Sequence, residues 1–449
     1  MTVDALVAEI GSTTTVINAF DGLNTDCPRF IAQGQAPTTV LDGDVRVGLK
    51  NAIEELKKAL KTDSLEYGTM LASGSAAGGL KMSVHGLMHD MTVRAAKAAA
   101  LGAGAIVVNA TSGKLTAYDI EDIIRLKPNL LMIAGGTDFG ERETAIYNLN
   151  LIAQSGIKTP VIYCGNVQNH AAVEEICKGQ GIPLSITENV YPRLDCLNID
   201  PVRKRIHEMF ERHITQAPGM EHIREMVDGQ ILPTPGSVML ATELLYEEIG
   251  DLCTVDIGGA TTDVHSVTMG SPEIAQLMTA PEPMAKRTVE GDLGLFVNAD
   301  NVANLIGLER FERETGLAYA HPPAIPVEDA DIKTAERLCV EAGVTAVKRH
   351  CGQLRHLYTP QGRRTIAEGK DLSLVKYLIG TGGALTRLKN REALLRKIAD
   401  CNENRMMLFP KEGELELLFD NDYIMASAGV LKKTFPEAAK KLLLRSLNL

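Results

Sequence analysis

"LVAEIGSTTTVINAF", Leu6 to Phe20, decides how this chain is read. An apolar run carries one carboxylate, Glu9, and then breaks into Gly11 and four hydroxyl residues, Ser12 to Thr15. A buried strand gains nothing from an acid near its end, because desolvating a charge is costly. A strand that delivers an anion-binding turn has a use for every one of these residues. Far downstream, "CTVDIGGATTDVHSV", Cys253 to Val267, repeats the arrangement, and 256 − 9 = 247 residues separate the two acids.

A magnesium triphosphate needs backbone N–H groups that approach closely, which glycine permits, and small hydroxyls to meet phosphate oxygens. It also needs carboxylates set back from the metal to hold its water shell, since Mg²⁺ dehydrates reluctantly. Both stretches supply acid, apolar spacer, glycine and hydroxyls in that order. Strand alternation sends Ile10 and Ile257 into the core and turns Glu9 and Asp256 to the other side. A third stretch, "YLIGTGGALTR" from Tyr377 to Arg387, ends a strand in Gly380-Thr381-Gly382-Gly383 and enters a helix. Such a turn lets the backbone lie close to a flat adenosine. Each motif alone is common after strands. The three in this order and spacing resemble the phosphate-1, phosphate-2 and adenosine motifs of the actin, heat-shock-chaperone and sugar-kinase superfamily. That resemblance covers residues 1–90 and 230–449 and implies an α/β fold, a duplicated actin-like (ribonuclease H-like) ATPase core.

The remaining pattern is compatible with that core plus an insert. Residues 449 in number call for more than one domain. Residues 1–90 read as a first core half, in which "VRVGLKNAIEELKKALKT" puts Leu49, Ile53, Leu56 and Leu60 on one helical stripe. From 91 to 199 helices and short β-branched runs alternate strictly, the mark of right-handed crossovers in a parallel sheet. We read this span as an inserted Rossmann- or flavodoxin-like domain. Residues 200–250 form a helical return segment and 251–449 the second core half.

Composition narrows the partners. A formal charge of −11, no Trp and 4% aromatics exclude a basic or base-stacking nucleic-acid surface. No run of apolar residues is long enough to span a membrane, and the start lacks a secretory pattern, so a cytoplasmic protein is expected. The 8 cysteines have no C-x-x-C spacing and read as reduced, mostly buried thiols.

"ASGSAAGGLKMSVHGL", "RTVEGDLG", "IGTGGALT" and "ASAGVL", with the opening stretch, resemble the accessory proteins of adenosylcobalamin-dependent glutamate mutase (methylaspartate mutase), the MutL group, over the whole length. That group is unrelated to the mismatch-repair protein of the same name. The resemblance implies an ATP-dependent reactivating chaperone that helps damaged cobalamin leave its mutase, with the mutase subunits as partners, ATP/ADP and Mg²⁺ as cofactors, and a homo-oligomer allowed. By position, Gly11, Ser12, Thr13 and Thr14 would grip one side of the phosphates, and Gly258, Gly259, Thr261 and Thr262 the other. Glu9 and Asp256 would organise the metal, and Gly382 and Gly383 would line the adenosine. Much of the superfamily has Asp where this chain has Glu9, which bears on hydrolysis more than on binding. The alternatives are a small-molecule kinase of the same superfamily and an ATPase activator of the 2-hydroxyacyl-CoA dehydratase type.

Other residues carry two readings each. Asp263 orients water or Mg²⁺, or is a structural turn residue. Glu290 and Asp292 in "EGDLG" flank flexible glycines and are candidates to touch nucleotide or water. "IAGGTDFGERE", Ile133 to Glu143, reads as a tight turn with Asp138 near a helix start, or as a ligand loop beyond a strand end. The base-off cobalamin pattern D-x-H-x-x-G is not met: Asp263-Val264-His265 is followed at 268 by Thr. The insert is therefore expected to dock onto the mutase. His350 and Cys351 read as core residues.

Overall fold

The computed structural model describes residues 1–39, 44–74, 80–101, 105–194, 196–215, 223–224, 226–229, 231–279, 282–359, 362–402 and 405–449. Its strands in chain order begin with β1 (Thr2–Ile10), β2 (Thr14–Asp21), β3 (Arg29–Pro37) and β4 (Glu66–Gly74). Then come β5 (Leu80–Gly86), β6 (Ala105–Ser112), β7 (Leu130–Ile133), β8 (Val161–Tyr163), β9 (Leu184–Ile186) and β10 (Leu232–Pro233). The second half brings β11 (Leu252–Ile257), β12 (Thr262–Val267), β13 (Ala285–Glu290), the β14 (Gln353–Thr359) and β15 (Gly362–Glu368) hairpin, β16 (Tyr377–Thr381) and β17 (Glu416–Phe419).

Two sheets share one plan. The first runs β3-β2-β1-β4-β10 and the second β13-β12-β11-β16-β17. In each, the first two strands form an antiparallel hairpin and the last two strands to pair lie parallel to it. Numbered within its own half, each order is 3-2-1-4-5, the ribonuclease H-like arrangement, so the core is a duplication. Alternation of apolar residues continues from Val3 to Asn18 on both sides of Gly11. The structure breaks it at 11–13 into β1 and β2, because the glycine and hydroxyl run makes the hairpin turn.

Amphipathic helices cover these sheets. The helix Val45–Leu60 starts on Asp44, whose side chain accepts from the Arg46 N–H, and buries Leu49, Ala52 and Leu56. Ile10 packs in a cluster with them, and Ile257 in a second cluster with Val264 and Leu338.

The chain divides into two compact units, one formed by Met1–Ala77, Ile214–Val289 and Leu293–Leu449, the other by Gly78–His213 with Glu290–Asp292. The second unit holds a parallel sheet, β6-β5-β7-β8-β9, which is 2-1-3-4-5 in its own numbering. That is the doubly wound flavodoxin-like order. Its sheet therefore starts before residue 91, since β5 pairs with β6 and β7 and, among the described residues, with no strand of the first half. The helices expected within 91–199 are found at Arg94–Leu101, Ala117–Leu126, Glu143–Gln154 and His170–Gln180. Residues 75–79, within the quoted stretch "ASGSAAGGLKMSVHGL", lie outside the described residues. Among the described residues no helix is long and apolar enough to cross a membrane.

Candidate functional site

The two acid-and-glycine stretches fold as matching hairpins. Ile10 pairs with Thr15 and Glu9 with Val16, and the Gly11 N–H closes the turn on the Thr14 carbonyl at 2.9 Å. Ile257 pairs with Thr262 and Asp256 with Asp263, and the Gly258 N–H closes on the Thr261 carbonyl at 3.0 Å. The offset of 247 holds for every one of these positions, since 258 − 11 and 261 − 14 equal 256 − 9. The tips meet: a Cβ on Gly259 would overlap the Thr13 side chain. Only glycine lets the two turns close on each other this tightly.

Both hairpins line one cavity of about 290 Å³, at the lower edge of the usual range for small-molecule sites. From the first come Glu9, Gly11, Ser12, Thr13 and Thr14; from the second come Asp256, Gly258, Gly259, Thr261 and Asp263; Gly383 joins them. Two residues expected here lie elsewhere. Directly paired residues of an antiparallel ladder share a face. Thr262, opposite Ile257, therefore faces the core, where its hydroxyl donates to the Leu293 carbonyl at 2.7 Å. Asp263, opposite Asp256, faces the cavity by the same parity. Gly382 is buried behind the cavity at φ +83°, and a Cβ there would fall on the Asp256 carboxylate. It packs directly behind that acid.

The acids are held in contrasting ways. Glu9 is 6% exposed, and its Oε1 accepts from the Ser427 N–H at 3.1 Å, the Ser427 hydroxyl at 2.6 Å and the Asn18 amide at 3.3 Å. Burial pushes its carboxyl up to about 7; the Ser427 bonds oppose this, and repulsion from Asp420 and Asp256 adds to it. Burial, then Asp420, pushes Asp256 upward as well. Asp420 follows β17 and is fully buried. Its carboxylate accepts from the Ile424 and Met425 N–H groups and from the Ser446 and Thr381 hydroxyls, at 2.8–3.0 Å. Burial raises its pKa and these four donors oppose the rise. Glu9 and Asp256 place two carboxylates at one cavity, a donor set compatible with a water-clad divalent cation. Among the described residues no group of three or more His, Cys, Asp or Glu could cage a metal directly. Glu9 and Asp256 are the residues that could hold a hydrated ion through its waters.

Three contributors escaped sequence reasoning. Asp420 carries a weak signal, an acid ending the apolar run "LELLF" much as Glu9 and Asp256 end theirs. Ser427 sits in "ASAGVL", which resembles the family but gives no hint of contact with Glu9. Tyr423 lines the cavity in the left-handed region at φ +53°, and its hydroxyl is raised well above normal by burial and then by Glu9 and Asp256. An apolar wall of Phe296, Pro322, Pro323, Ile325 and Leu388 completes the cavity and suits a flat ring.

The remaining candidates are structural. Glu290 is buried at the end of β13, and neither it nor Asp292 lines the cavity. His350 bonds the hydroxyls of Ser266 at 2.8 Å and Thr288 at 2.9 Å inside the core, and burial pushes the neighbouring Cys351 thiol up to about 12. In the second unit, Asp138 accepts from the Val167 N–H and the Asn189 amide, both at 3.0 Å, tying loops together. The helix after it takes its first-turn acceptor from Glu141 instead, through the Thr144 N–H at 2.7 Å.

Strand order and paired hairpins define a duplicated actin-like core of the actin, heat-shock-chaperone and sugar-kinase class. Within that class the chain belongs to the MutL protein family, whose profile matches residues 5–447. Protein MutL of Clostridium tetanomorphum is 36% identical over 457 residues, covering 98% of each chain. Among solved structures, a diol dehydratase-reactivating factor in nucleotide-free form is 10% identical with a TM-score of 0.39, over 96% of this chain and 100% of that one. Component A of (R)-2-hydroxyglutaryl-CoA dehydratase from Acidaminococcus fermentans is 9% identical with a TM-score of 0.32, over 97% and 99%.

Proposed function

We propose that this chain is an ATP-dependent reactivating chaperone for an adenosylcobalamin-dependent carbon-skeleton mutase, glutamate mutase in particular. It binds Mg-ATP or Mg-ADP between its core halves and promotes release of damaged cobalamin, in the cytoplasm. Membership of the MutL family supports the client class. The observation that carries the nucleotide reading is that Glu9 and Asp256, 247 residues apart, line one cavity.

The turn from Gly11 to Thr14 grips one side of the phosphates and that from Gly258 to Thr261 the other, through the N–H groups and hydroxyls that follow Gly11 and Gly258. Bound magnesium would supply charge neutralisation for the phosphoryl oxygens. Glu9 and Asp256 hold its water shell, and Asp263, on the same face as Asp256, orients a water. Gly383 and the Phe296–Pro322 wall receive the adenosine. The second unit, which contains the 91–199 segment and begins at Gly78, engages the mutase.

Incubating cyanocobalamin-inactivated glutamate mutase with this protein, ATP, Mg²⁺ and free coenzyme should restore activity. Mutase activity left unchanged by the complete mixture refutes the client role.

A further inference from the structure

Arg387 ends the helix Gly382–Arg387 at the cavity wall, its guanidinium 5.5 Å from the centre of the Tyr423 ring. On its other side it donates through Nη2 to Gln33 Oε1. Gln33 Nε2 donates to Asn18 Oδ1 at 2.7 Å, and Asn18 Nδ2 donates to Ser427 Oγ at 2.9 Å and Glu9 Oε1 at 3.3 Å. The Ser427 hydroxyl donates to that same oxygen at 2.6 Å.

A side-chain amide has two orientations that its shape alone does not distinguish. Here the ends decide. A guanidinium can only donate and a carboxylate can only accept, so both amides must point the same way. The result is a one-way chain of hydrogen bonds from a cation to an anion, in which each bond polarises the next. It crosses three adjacent strands: Glu9 is on β1, Asn18 on β2 and Gln33, its direct cross-strand partner, on β3. Both ends clasp residues of the second core half, Arg387 and Ser427.

The chain also accounts for glutamate at position 9. Aspartate would stop short by about a methylene, ~1.5 Å of covalent reach, and would not meet Ser427. The longer arm serves the contact with the 425–431 helix.

We propose that Asn18 and Gln33 are positioning residues of the nucleotide site, linking Glu9 to Arg387 so that the acid near the phosphates and the cation at the cavity wall are set as one unit. This rests on the nucleotide reading above. Neither residue lines the cavity, so neither touches the ligand. Asn18 is fully buried and Gln33 half-buried, and Gln33 variants are therefore expected to fold.

The test is a set of double-mutant cycles on the full chain, with Mg-ADP as the titrant. Asn18→Ala and Gln33→Ala should each weaken Mg-ADP, Asn18→Ala by about tenfold, in keeping with loss of a hydrogen bond to a charged group. Combined with Arg387→Ala, each should weaken binding by less than the two single losses together. Asn18→Asp, equal in size, should weaken it more than Asn18→Ala, because a second carboxylate then faces Glu9. Losses that simply add, or Asn18→Asp binding as well as wild type, overturn the proposal. A parallel cycle by urea unfolding of the ligand-free chain keeps the two readings apart. There the Gln33→Ala, Arg387→Ala double variant should lose less than the singles combined, and additivity overturns the chain. Failure of wild type to take up Mg-ADP defeats the nucleotide reading, while the unfolding cycle still decides whether Gln33 and Arg387 are coupled.

Discussion

The Ser427 hydroxyl donates to Glu9 across 2.6 Å, although 418 residues separate them in the sequence. The bond joins the first strand of the core to a helix near its end, and it sets one oxygen of an acid that lines the cavity.

Shortening that arm and removing its charge should differ in their effect on stability. Glu9→Gln keeps an acceptor for Ser427 and removes a buried charge, so the ligand-free protein should stay near wild-type stability. Glu9→Asp strands two donors and should cost about 1–3 kcal/mol in urea unfolding. Magnesium-dependent nucleotide binding should suffer in both.

The contact between hairpin tips makes a sterically specific prediction. Gly259→Ala pushes on Thr13 and should weaken nucleotide binding by about tenfold, close to 1.4 kcal/mol, with little change in melting temperature. Adding Thr13→Ser removes the methyl that the new Cβ meets. Calorimetry on the double variant should show binding partly recovered.

Adjacent threonines should separate structure from site. Thr262→Val leaves the Leu293 carbonyl without its 2.7 Å donor and should cost about 1 kcal/mol of stability while nucleotide affinity stays within twofold or so. Thr261→Val, at the cavity, should do the reverse. Unfolding and titration on both variants check this.

The raised carboxyl of Glu9 fixes a direction with pH. Its folded pKa of about 7 exceeds the ordinary 4.5, so the folded chain holds this proton more tightly than the unfolded chain does. The stability this group contributes is present in full below about 4.5, falls as pH rises toward about 7, and is flat beyond. Magnesium requires the ionised form, so Mg-nucleotide binding should tighten between pH 6 and 8 and release protons. Titration in buffers of different ionisation enthalpy measures that release, and Glu9→Gln should reduce it.

Much of this was legible in the chain itself. Acid, spacer, glycine and hydroxyls marked both turns, and the 3.6-residue stripe marked the helix over Leu49 and Leu56. A run of hydroxyls does not reveal which one a ladder turns inward; the pairing with Ile257 turns Thr262 there. The start of the second unit at β5 was hidden because "LKMSVHG" reads as a strand without stating which sheet it joins. Asp420, Ser427 and the Gln33–Arg387 contact depend on encounters across hundreds of residues, which no local pattern records.

The most direct test is calorimetric titration of Mg-ATP into the wild-type chain and into Asp256→Asn and Gly259→Val variants. The account predicts one site per chain, weakened at least about tenfold in each variant. Absence of uptake by the wild type, or affinity unchanged in both variants, would contradict it.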